Sequence, residues 1–250
     1  MRKIAALILC VSSFLVTGCF DIEQTLTLER NMSGKAGFSM KVNLEPMVLF
    51  MAQMQREMGG KSGPPTAAEL AEARKEFMKE AKSKSSSADF EKEKKQIQAS
   101  LPAGVTLLDA TMAEDGLKIV ANVLFGFDDA KKLALINLPD KKDQPVPNPM
   151  DAPFSDLKVT DDGKTVLITT PVENPMADAK KPGESPLDPA MMKQMGDFFK
   201  GLGVAYRITA PFEILEQNAT RREGNTLIWE YDMQSLEKQT PTGIRVRYRK

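Results

Sequence analysis

The chain of 250 residues contains no histidine. That removes the commonest general base near neutral pH and the commonest metal-ligating side chain. Cysteine is almost as scarce. Cys10 and Cys19 are the two present, so beyond Cys19 there is no thiol for nucleophilic catalysis, zinc or iron–sulfur ligation, or an internal disulfide. Charge of one sign is not in excess either: 34 basic residues face 34 acidic ones, and no overall field draws the chain to nucleic acid. After Val16 no apolar run approaches the roughly 20 residues of a membrane-spanning helix. Gly-x-Ser-x-Gly and phosphate-cradling glycine loops are missing. Asp128-Asp129 reads as a helix start. Asp161-Asp162-Gly163 reads as a hairpin turn and lacks the spaced ligands of a calcium loop. These absences leave neither a cofactor nor an enzyme activity to expect.

What is present begins at the N-terminus. Arg2 and Lys3 precede an apolar run from Ile4 to Val16, which closes on Thr17-Gly18-Cys19. This order of charge, apolar run and small residues is that of a secretory signal, and 13 apolar residues are too few to remain as a spanning helix. Leu15 through Cys19 resembles the bacterial lipobox. The resemblance implies cleavage between Gly18 and Cys19, a diacylglycerol on the Cys19 thiol and an acylated new N-terminus. The expectation is a leader over 1–18 and one domain over 19–250, held at the cell envelope by lipid. Two or three acyl chains, at about 0.8 kcal/mol per buried methylene, make such an anchor stable. In a host with two membranes, Phe20 rather than Asp after the cysteine directs the protein to the outer membrane, facing the periplasm.

The body alternates between strand and helix patterns. Ile22, Leu26 and Leu28 alternate with polar residues, Asn31 to Gly34 signals a turn, and Phe38, Met40, Val42 and Leu44 alternate again, which predicts a hairpin with almost no tether to Cys19. A Met-rich helix follows from Pro46 to Met58, ended by the Gly- and Pro-rich stretch 59–65. Thr66 with Glu69 makes a capping box for the first of two charged helices, which form an insertion over 66–99. A second hairpin spans 105–125 around Ala113 to Gly116, with a brief helix from Asp128 to Asn137. A third runs from Leu157 to Ile168, and strands over 204–208, 227–231 and 244–248 close the chain. Residues 139–153 and 171–189 read as Pro-rich loops, and another Met-rich helix is expected over 189–201. The whole predicts an α+β fold: a mostly antiparallel sheet built from hairpins, with helices packed on one face and the charged insertion beside it.

The two ends of the body carry a further likeness. Cys19 followed at once by a strand, the Ser33-Gly34 turn and Phe38-Ser39-Met40 resemble the start of LppM-type envelope lipoproteins. Val204 to Ile208, Ala210-Pro211, Ile214, Asn218 and Gly224 to Trp229 resemble their end. The resemblance implies a lipid-related or envelope-surface role without catalysis. The insertion 66–99 departs from that pattern.

Methionine, at 15 residues, is the remaining signal. Its flexible thioether serves both irregular cores and adaptable apolar binding surfaces. Met47, Met51 and Met54 on one helix and Met191, Met195 and Phe198 on the other either pack on the sheet or line a groove for an acyl chain, a lipid or a partner helix. Arg245, Arg247 and Arg249 either meet anionic head groups or keep an exposed strand soluble. The expected function is that of a membrane-anchored envelope lipoprotein binding an amphiphile. The alternative is an assembly protein docking on another envelope component.

Overall fold

The computed structural model describes residues 20–84, 87–136, 157–171, 201–232, 235 and 243–250. Alternation sets the first hairpin: β1 (Phe20–Leu28) and β2 (Gly34–Asn43) pair antiparallel with Phe20 opposite Val42 and Leu26 opposite Ala36. Three helices follow, α1 (Glu45–Met58), α2 (Ala67–Lys84) and α3 (Ser87–Ser100). The second hairpin is β3 (Val105–Asp115) with β4 (Lys118–Phe127), and a short 3₁₀ helix covers Ala130–Leu135. β5 (Lys158–Asp161) pairs with β6 (Thr165–Thr170). The last strands are β7 (Leu202–Thr209), β8 (Glu213–Gln217), β9 (Arg221–Glu223), β10 (Thr226–Asp232) and β11 (Ile244–Arg249).

These strands form two sheets. The larger runs β3-β4-β2-β1-β7-β10-β9, and the smaller β5-β6-β11-β8. Every pairing is antiparallel except β1 with β7, which joins Phe20 to Leu202 and Leu26 to Ile208 in parallel. One core holds both sheets. It contains Leu26, Leu28, Phe125, Ile208, Leu227 and Trp229 from the larger, and Val166, Ile168, Ile244, Val246 and Tyr248 from the smaller. Each fully buried Leu or Ile there contributes roughly 1.5–3 kcal/mol.

This arrangement corrects the expected fold class. The protein is mostly β, and the partner of the larger sheet's buried face is a second sheet rather than a layer of helices. α1 and α2 pack chiefly on each other: Val48 and Ala52 meet Ala73, with Leu117 from the β3–β4 turn closing a small separate cluster. α3 reaches the main core through Ile97 and the partly buried Phe90, and the 3₁₀ helix through Ala130 and Leu133. The reason is physical. Period-2 alternation says that a strand has a buried face, but not what buries it.

Local signals fare better. The capping box forms: the Thr66 N–H donates to Glu69 Oε2 at 2.8 Å, and the Glu69 N–H to Thr66 Oγ1 at 3.3 Å. Asp129 caps the helix after β4, which is 3₁₀ rather than α, by accepting from the Lys131 N–H at 2.9 Å. Asp161 and Asp162 shape the β5–β6 turn, accepting from the N–H groups of Gly163 and Lys164 at 2.9 Å each, with Gly163 at φ +84°. The stretch 139–153 and residues 172–189 of the second Pro-rich loop lie outside the described residues.

Candidate functional site

The ends of five strands meet where the chain emerges from Cys19. β1 begins there at Phe20, β2 ends at Val42 and Asn43, β4 begins at Lys118, β7 begins at Leu202 and β10 ends at Asp232. On the core-facing side, burial changes along the strands. On β1, Leu26 and Leu28 are sealed at 0% and 2% exposure, while Phe20 and Ile22 are half-buried. On β7, Ile208 is sealed, while Val204 and Tyr206 are half-buried. On β10, Leu227 and Trp229 are sealed, while Tyr231 is half-buried. Met40 of β2 sits opposite Ile22 and is also half-buried, and buried Val42 and Leu202 flank Phe20.

The result is an apolar, partly open patch at the Cys19 end of the larger sheet. Tyr206 and Tyr231 stand edge to face across it, with ring centres 6.2 Å apart. Burial pushes the Tyr231 phenol above its ordinary pKa, so the group stays neutral and able to donate a hydrogen bond. The patch therefore combines apolar side chains with two phenols.

The other side of the same sheet end carries polar groups. Asp21, Glu23, Ser39, Lys41 and Glu230 surround a floor made small by Gly203 and Ala205, forming an open cleft of about 350 Å³. Burial raises the Asp21 carboxyl above its usual range, against the opposing pull of Lys41. Arg207 pairs with Glu23 at 3.2 Å. Among the described residues no group of three His, Cys, Asp or Glu side chains is placed to hold a metal ion.

The residues singled out from the sequence fall differently. Met47, Met51 and Met54 lie on α1, half-buried, and α1 springs from this same sheet end because Leu44 follows Asn43 and donates its N–H to Leu117 O at 2.8 Å. Gly18, Cys19, Met191, Met195 and Phe198 lie outside the described residues. The arginine row is committed elsewhere. Arg245 and Arg247 both reach Glu216, at 3.1 and 3.7 Å, and Arg249 reaches Glu213 at 2.8 Å, so cross-strand pairing with β8 offsets two of the row's three charges. Phe20, Tyr206 and Tyr231 had no separate signal. Alternation marks Tyr206 and Tyr231 as inward-facing, but how far each is covered is not a property of the local pattern.

No protein-family model matches the chain, and no curated protein matches it. Among solved structures it is similar to the NMR structure of the folded domain of LppM from Mycobacterium tuberculosis, with 9% identity, 95% of this chain and 94% of that one covered, and a TM-score of 0.42. At this distance the likeness carries no argument.

Proposed function

We propose that the protein is a non-catalytic envelope lipoprotein, lipidated at Cys19, whose body binds a lipid or similar amphiphile at the membrane-facing end of its larger sheet. One observation carries the reading: Phe20, Ile22, Met40, Val204, Tyr206 and Tyr231 form a half-buried apolar patch at the sheet end where Cys19 joins the fold. A sealed core gains nothing from leaving such residues partly wet, whereas a site for an acyl chain requires it. The neutral Tyr231 phenol supplies a donor for a head group.

The test is native mass spectrometry with lipid extraction on the Cys19→Ser protein lacking residues 1–18, purified from bacterial cells. A stoichiometric lipid or fatty acid is expected, and Val204→Asp should lose it. A protein that is clean as isolated and takes up nothing from added lipid overturns the reading and turns attention to a protein partner.

A further inference from the structure

The middle of α1 is unusual for a helix outside the main core: residues 46–55 carry no charged side chain. Its packing face is short. Val48 and Ala52 turn toward Ala73 of α2, and the charged ends of the two helices are tied by Arg56 with Glu69, at 2.6 Å, and by Arg74 with Glu45. Met47, Met51, Met54 and Met58 do not belong to that face. At 3.6 residues per turn they form a stripe roughly 60–120° round the helix from Val48. Three of them are half-buried, and Met58 is 82% exposed. None joins the cluster between α1 and α2.

What covers such a stripe is indicated by where the chain enters the fold. Cys19, proposed above to carry the lipid, lies immediately before Phe20, outside the described residues, and Phe20 pairs with Val42 just before α1 begins. The proposed anchor and the start of α1 therefore share one end of the sheet. We infer that α1 lies in the membrane interface, with Met47, Met51, Met54 and Met58 among the lipid head groups and upper acyl chains. The inference rests on the anchoring at Cys19 proposed above. Unbranched, polarisable methionine suits a disordered apolar medium as well as it suits an adaptable protein surface. The α1–α2 hairpin then acts as a second contact that fixes the tilt of the domain, which a flexible lipid tether alone cannot do.

The absence of any thiol after Cys19 makes the test direct. Met51→Cys, Met58→Cys and, as a control at the far end of β1, Arg30→Cys are each made in the full chain. Intact mass first reports whether Cys19 carries its diacylglycerol. The protein is then labelled with an environment-sensitive fluorophore, reconstituted into phosphatidylethanolamine–phosphatidylglycerol vesicles, and quenched with brominated acyl chains. Labels at 51 and 58 should shift to the blue and quench several-fold more than the label at 30. Labels at 51 and 58 that stay aqueous overturn the inference. So do labels that are shielded from water but unquenched by brominated lipid, which means that protein covers the stripe, from this chain or a second copy. If the mass shows no lipid on Cys19, the anchoring reading fails separately. The same labels on Cys19→Ser protein mixed with vesicles then decide the inference by the same two outcomes.

Discussion

Asn218 sits between the two sheets, just after β8, and its side chain joins them. Its Oδ1 accepts from the indole Nε1–H of Trp229 at 2.9 Å and from the Arg245 N–H at 2.9 Å, while its Nδ2 donates to Gly243 O at 2.8 Å. Trp229 belongs to the larger sheet and is 1% exposed, whereas Asn218 is exposed, so water can reach the indole N–H once the amide is removed. Asn218→Ala should therefore cost about 1–2 kcal/mol in urea unfolding, the loss of hydrogen bonds that water replaces in part. Tyr248 is the useful opposite. Its ring is fully buried, its hydroxyl has no hydrogen-bond partner among the described residues, and burial holds its pKa far above the ordinary value. In the same titration Tyr248→Phe should be neutral or stabilising by about 1 kcal/mol, since no bond is lost and a desolvated hydroxyl is removed. If Tyr248→Phe proved as damaging as Asn218→Ala, the hydroxyl would have a partner of its own.

At the scale of elements, the α1–α2 hairpin is the part most exposed to acid. Glu69 accepts from the Thr66 N–H, from the Thr66 hydroxyl and from the Arg56 guanidinium, and these hold its pKa at about 2, below the usual 4.5. A depressed carboxylate stabilises above its unfolded pKa and ceases to do so as pH falls through the folded one. The hairpin's helical signal in far-ultraviolet circular dichroism should thus weaken between pH 4.5 and 2. Glu69→Gln should weaken it already at neutral pH and shrink the acid-dependent part; superimposable acid curves would sink the idea. The capping box behind this was legible in the sequence because it is local, as were the hairpins, whose turns at Asn31 to Gly34 and Asp161 to Gly163 declare themselves in a few residues. The partners of the helices were not. Val48 and Ala52 meet Ala73 rather than a sheet, and nothing in a 3.6-residue stripe names what it will touch. The candidate patch was partly legible: Ile22, Met40, Val204, Tyr206 and Tyr231 were alternating positions of expected strands, but how far each is covered depends on parts of the chain distant in sequence. Asn218 looked like no more than part of a terminal motif, since its partners lie 11 to 27 positions away.

The whole molecule turns on β1. It occupies the middle of the larger sheet, between β2 and β7, and its parallel bond to β7 joins Phe20 to Leu202 across most of the chain. Such distant pairing makes closure of the sheet a late folding event. It also means that the strand next to Cys19 cannot fray as a free terminus does, because it is hydrogen-bonded on both sides. A membrane anchor at Cys19 would therefore hold the rigid centre of the fold rather than a loose end. Removing residues 20–28 would split the larger sheet into β3-β4-β2 and β7-β10-β9. Each half gains a raw edge, and the core loses Leu26 and Leu28. Trp229, the one tryptophan of the chain, reports on this because it lies on β10, one strand beyond β7. The truncated protein should show the emission of a solvated indole and no cooperative urea transition. If Trp229 instead kept a buried spectrum, with a sharp unfolding transition, the smaller sheet and β7-β10-β9 would form a folding unit of their own, and β1 would be an attachment to it rather than the strand that completes it.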